Sequence, residues 1–238
     1  MNRNISKSDS RGAADFGWLK TRYSFSFADY YNPERINFGV LRVLNDDIVS
    51  PGKGFDTHPH SNMEIITIPL EGDLSHRDSM GNERIIKQGE IQVMSAGTGI
   101  RHSEYNARND IEVKFLQIWL FPREKELKPR YDQKMIRELG RENELINILS
   151  PEKNDKGVWV NQDAWFYMGF YSVDTTESYN VTKKGNGIYL FVLKGSVTLD
   201  GEQLDERDAM TVEGEDKLDF NIKAGSEILI MDISMTSQ

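Results

Sequence analysis

From Tyr23 onward the apolar residues fall in short blocks rather than at helical spacing. INFGVLRVL, MEIITIPL, EIQVM, IEVKFLQIWLF, GIYLFVL, SVTLD and SEILIMDI are apolar or alternating runs of strand length. Gly72, the SMGNE of residues 79–83, Gly89, the AGTG of 96–99, Gly195 and the DG of 200–201 lie between the runs. Successive antiparallel hairpins need such turn residues there. The pattern predicts an all-β protein of the double-sheet sandwich or barrel kind.

Two regions break the pattern. The first twenty residues, MNRNISKSDSRGAADFGWLK, carry no apolar block and are expected to form a loose arm leading into the first strand. Residues 122–157 are charged, and the part from Gln133 to Leu149 predicts one or two short helices around Gly140. Either side of that stretch the order of features repeats: an apolar strand, a Leu-x-Gly turn, a second strand, a polar hairpin, then an acidic residue before another apolar strand. The expected organisation is an N-terminal domain over 1–130, a linker with short helices over 131–157 and a second β domain over 158–238.

Composition narrows the chemistry. The chain of 238 residues has 38% hydrophobic and 28% charged residues, as a soluble globular protein does. No run of about 18 apolar residues offers a membrane span, and the absence of a secretion-type leader points to a cytoplasmic protein. Cysteine is absent, which excludes disulfides, thiolate nucleophiles and thiolate metal sites. A net charge of −9 and no Lys/Arg stripe argue against direct nucleic-acid binding. Small molecules are the expected partners, and the chain is expected to be a monomer.

Histidine is scarce, with four in the chain, yet His58 and His60 stand two apart in GFDTHPHSNMEI. On a strand, residues i and i+2 project to one face, so these two rings aim together while Pro59 points away. The spacing returns in GTGIRHSEYN as His102 and Glu104. If the two strands are neighbours facing one interior, three imidazoles and a carboxylate converge as ligands for a divalent metal, leaving one or two positions open. An open site is of the catalytic kind. The donors suit Fe(II), and also Mn, Co, Ni or Zn. His76 stands alone beside a charged hairpin and is expected on or near the surface, as a non-ligand.

FSFADYYNPE, LRVLNDD, THPHSNMEI, LEGDLSHRDSMGN, MSAGTGIRHSEYN, LQIWLFP and PRYDQ together resemble the pirin family of the cupin superfamily, densely from Trp18 to about Gln133. The resemblance implies a bicupin of two jelly-roll β-barrels with metal ligands at His58, His60, His102 and Glu104. It also implies iron and the cleavage of quercetin or a related flavonol with dioxygen, so a phenolic substrate and O2 are the expected small-molecule partners. As the one ligand able to take a proton from a substrate 3-hydroxyl, Glu104 is the expected general base. The chain departs from many relatives at Tyr23, Asp56 and Asn62, near the metal but outside its ligand set. In the second barrel, counting from the equivalent turns places Val181, Lys183, Phe220 and Ile222 where the four ligands stand, so that barrel is expected to be metal-free and structural. An alternative implied by eukaryotic pirins is an iron-containing, redox-sensitive regulator that binds a protein partner; a third is a cupin with a different small-molecule chemistry such as isomerisation.

Overall fold

The computed structural model describes residues 2–236. Two sandwiches, each a seven-stranded sheet over a four-stranded one, form the molecule. In the first, the large sheet runs in the order Arg130–Met135, Glu90–Ser95, Glu64–Glu71, Val113–Leu120, Leu41–Val49, Leu19–Tyr23, Gly12–Asp15. Its small sheet runs Gly54–His60, Ile100–Asn106, Leu74–Asp78, Glu83–Ile86. The second large sheet is Asn2–Ser6, Ala209–Glu213, Gly187–Lys194, Ser226–Ile233, Ala164–Tyr171, Leu145–Ser150, Val158–Trp159. Thr175–Asn180, Lys217–Ile222, Val197–Leu199 and Glu202–Leu204 close the second sandwich. These are two jelly-roll barrels, the bicupin architecture.

Strand alternation decides what each barrel contains. Along Val113–Leu120, Leu116, Ile118 and Leu120 face the other barrel and join one apolar layer with Ile66, Ile68, Phe166, Phe191, Leu229 and Met231. The two large sheets therefore pack face to face, each fully buried aliphatic or aromatic side chain contributing roughly 1.5–3 kcal/mol of transfer free energy. Alternate residues, Phe115, Gln117 and Trp119, turn into the first barrel. The second barrel is filled mainly by apolar side chains, including Leu190, Val192, Leu218, Phe220, Ile222 and Ile230, and its buried Asp232 accepts from Tyr179, the Thr182 amide and Asn186. In the first barrel, apolar residues fill the two ends: Leu19, Val49, Leu74, Ile86, Val113 and Phe115 at one, Ile65, Met94, Ala96 and Ile100 at the other. Between them the interior carries buried polar groups, Asn45, Asp47, Thr67, His76, Gln92, His102 and Glu104 among them. Histidines inside the first barrel, and none in the second, are what separate the two halves.

The N-terminal segment is not a loose arm. Asn2–Ser6 crosses to the second barrel and pairs antiparallel with Ala209–Glu213. Ile5 packs on that barrel's core, and Arg3 binds Glu215 through two nitrogens at 2.6 Å each. The segment's polarity follows from its edge position, where half of a strand's surface stays wet. In the charged connection, helix is reduced to one 3-10 turn, Ile136–Glu138. Its flanks are strands: Arg130–Met135 pairs with Glu90–Ser95, and Leu145–Ser150 with Ala164–Tyr171. Tertiary pairing at free sheet edges overrides a weak local helix preference here.

Candidate metal centre

The small sheet of the first barrel assembles the cluster. Ile100–Asn106 lies between Gly54–His60 and Leu74–Asp78, with His102 opposite His58 on one side and Glu104 opposite His76 on the other. Pairing with Gly54–His60 is interrupted between His102 and Glu104, where Glu104 meets Phe55 and the facing strand holds one extra residue. Gly54 makes that approach possible, because a Cβ there would collide with the carbonyl oxygen of Glu104.

Three rings meet inside. The centroids of His58 and His60 are 4.8 Å apart, of His58 and His102 4.5 Å, and of His60 and His102 4.9 Å. Each offers one nitrogen to a group whose atoms all lie within 4.8 Å of one another. A second group of the same span joins His76, His102 and Glu104. The spacing-based quartet thus appears as two overlapping trios that share His102, with Glu104 set toward His76 rather than toward His58 and His60.

Hydrogen bonds fix what each group presents. His58 Nδ1 lies 2.7 Å from the carbonyl oxygen of Asp56, which can only accept; the ring therefore carries its proton on Nδ1 and leaves Nε2 bare. Among the described residues, nothing partners the buried His60 Nε2 or either nitrogen of His102. Buried imidazole nitrogens are ordinarily satisfied, so these are the atoms a bound ion would take. His60 is pushed down to about 4 and His102 to about 3, by burial first and by the neighbouring rings second, so both are neutral, as ligands must be. Gln117 Nε2 donates to Glu104 Oε2 at 3.0 Å. The Thr67 hydroxyl is 2.7 Å from Gln117 Oε1 and 3.2 Å from Glu104 Oε1, and its single proton serves one of them at a time.

The surroundings are part apolar and part polar. Trp119 lies edge-on to His60 with centroids 4.9 Å apart, and a surface depression of about 430 Å³ lined by Pro59, His60, Ser61, Ser79, Gly99, Ile100 and Arg101 opens beside it. Asn62, at φ 50°, donates to Glu126 at 2.6 Å and accepts from the Glu126 amide at 2.8 Å, tying the turn after the histidine pair to the 121–129 loop. Deeper in the barrel, burial raises the Asp47 carboxyl to about 7. Larger grooves of about 860 and 690 Å³ lie elsewhere on the surface, and neither is lined by a histidine.

His76 is not at the surface. It is fully buried, because Leu74, His76 and Asp78 alternate inward while the charged Arg77 faces out. Gln117 and Thr67 were not anticipated from sequence either. Their signal is a polar residue at an inward position of an otherwise apolar strand.

A nitrogen-rich cluster inside one barrel of a bicupin marks a cupin-type protein with residues that could hold a metal. Residues 5–120 match the Pirin family model, and residues 147–233 match that of the quercetinase C-terminal cupin domain. The chain is 38% identical over 229 residues to quercetin 2,3-dioxygenase of Escherichia coli K12, covering 96% of this chain and 97% of that protein. It is 36% identical to a pirin-like protein of Caulobacter vibrioides, covering 94% and 96%. The structure of bacterial pirin YhhW from Escherichia coli in complex with nickel(II) superimposes with a TM-score of 0.93 at 36% identity, over 99% of this chain and all of that one. The chain belongs to the pirin family.

Proposed function

We propose that this chain is a metal-dependent dioxygenase of the pirin type, which opens the ring of quercetin or a related flavonol with dioxygen, and that His58, His60, His102 and Glu104 hold its ion. The observation that carries this reading is the convergence of three imidazoles, those of His60 and His102 with unpartnered buried nitrogens, beside a carboxylate held by Gln117. Two near full-length comparisons support it: the relative named quercetin 2,3-dioxygenase and the pirin that holds nickel(II). Fe(II) is the proposed ion; Mn, Co, Ni and Zn suit the same donors. When bound, the ion supplies Lewis-acid stabilisation to a deprotonated flavonol oxygen.

The chain's own groups do the rest. Glu104 takes the proton of the substrate 3-hydroxyl on a carboxylate oxygen, while Gln117 keeps the group oriented. Pro59 and Ile100, which line the depression at His60, and Trp119, edge-on to that ring, give an apolar side that suits a planar aromatic substrate. The second barrel, which has no histidine and whose buried Asp232 is already satisfied by Tyr179, the Thr182 amide and Asn186, has a supporting role and no ion of its own. The reaction consumes one flavonol and one O2 and releases carbon monoxide and a depside. Protein loaded with Fe(II) should consume dioxygen, bleach the flavonol absorbance and release carbon monoxide in equal amounts. Fully loaded protein that binds quercetin without consuming dioxygen would refute the assignment.

A further inference from the structure

We propose that His76 is a metal donor, and that His76, His102 and Glu104 form an inner divalent-cation position, which shares His102 and Glu104 with the outer site proposed at His58 and His60; this rests on the reading that the barrel interior takes a metal. The key is the tautomer of His76. Asp78 accepts backbone N–H bonds from Met80 and Asn82 on Oδ1 at 2.9 and 3.1 Å, and the Asn82 amide N–H on Oδ2 at 2.8 Å. A carboxylate so surrounded by donors acts as an acceptor, and His76 Nε2, 3.2 Å from Oδ2, is therefore the donor. The proton sits on Nε2, leaving Nδ1 as a bare lone pair. Nδ1 is buried without a partner among the described residues.

That arrangement is how a ligating histidine is usually supported: one ring nitrogen held by a carboxylate, the other offered to the ion. One donor atom from each of His76, His102 and Glu104 lies within 4.8 Å of the others. Ligands at about 2.0–2.2 Å from a cation stand at most about 4.4 Å apart, so a small inward movement of the side chains suffices. All three residues are buried, at 0, 1 and 2% exposure. A dication there meets two carboxylates, Glu104 directly and Asp78 through His76, which balances its charge where water cannot. Tyr131, its ring 5.0 Å from that of His76, covers the inner side. Because the two positions share His102 and Glu104, one chain holds one ion, at the outer position when all its donors are present and at the inner one when His58 and His60 are lost.

Cobalt(II) is the probe, its visible absorption reporting the donors and its titration the affinity. The wild type is expected to bind one Co(II). The His58→Ala/His60→Ala variant should still bind one, more weakly and with a different absorption envelope, and adding His76→Ala should weaken that residual binding by at least about tenfold. Thermal melts of all three establish that they fold. A double variant that folds and binds no Co(II), or a triple variant that binds as well as the double, overturns the inner position while leaving the outer site intact. A wild type that binds no Co(II) overturns both readings together. Long-range ¹H–¹⁵N spectra of the unmutated, metal-free protein give a test without variants: His76 is expected protonated on Nε2 and bare on Nδ1, and the opposite tautomer overturns the proposal.

Discussion

Replacing Gln117 by Leu tests how the barrel prepares its carboxylate. The substitution keeps the size of the side chain and removes the Nε2 donor that lies 3.0 Å from Glu104 Oε2, together with the Oε1 acceptor 2.7 Å from Thr67. A hydrogen bond to a charged group is worth about 1.5–3 kcal/mol. If that sum serves to hold Glu104 toward the ion, its loss lowers metal affinity by about 10- to 100-fold, the range seen for groups that orient ligands. Titration calorimetry of metal-free protein with Ni(II) measures this, with a thermal melt to show that the variant is folded. His58, His60 and His102 are untouched, so weak binding should persist. A folded variant with wild-type Ni(II) affinity would show that the Gln117 contact does not prepare Glu104, and the orientation argument would fail.

Acid should weaken the histidine contribution to the stability of the metal-free protein. Between pH 6.5 and about 4 the unfolded chain protonates its histidines while folded His60 stays neutral down to about 4 and His102 down to about 3, so that contribution falls as pH falls through that window. Asp47, holding its proton in the fold up to about 7 against 3.8, and Glu64, raised by burial, act in the opposite sense, so the histidine contribution is read as the difference between the wild type and His60→Ala. Urea unfolding at pH 7 and pH 5 should show the wild type losing more stability, or gaining less, than His60→Ala between the two; an equal change in both contradicts the burial argument. Deleting residues 2–6 removes the edge strand on Ala209–Glu213 and the Arg3–Glu215 pair. The melting temperature should drop by a few degrees, on the order of 2–4 °C per kcal/mol lost in a chain of this size, with Ni(II) binding little changed.

The fold was legible where strands are apolar and turns carry glycine. Period-2 alternation in HPH and in RHSE puts each pair on one face of its strand, because side-chain direction is fixed by the pleat; that the two strands are neighbours comes from the pairing of His102 with His58. Asn2–Ser6 was not legible, since a short polar edge strand gives no periodic signal. His76 was misread through its charged neighbours; Leu74 two residues earlier and Asp78 two later carry the inward register that places it in the core. Gln117 and Thr67 were hidden for the converse reason, standing in runs so apolar that they read as plain strand. What a single sequence does not display is which partner each inward polar residue meets, because that depends on pairing between strands far apart in the chain.

The most direct test of the central claim is anomalous-difference diffraction from crystals of the wild-type protein grown with one equivalent of Ni(II). One peak should lie inside the first barrel, about 2.0–2.2 Å from nitrogens of His58, His60 and His102, and none inside the second. A barrel interior without anomalous density, or an ion held away from all three imidazoles, would contradict the account.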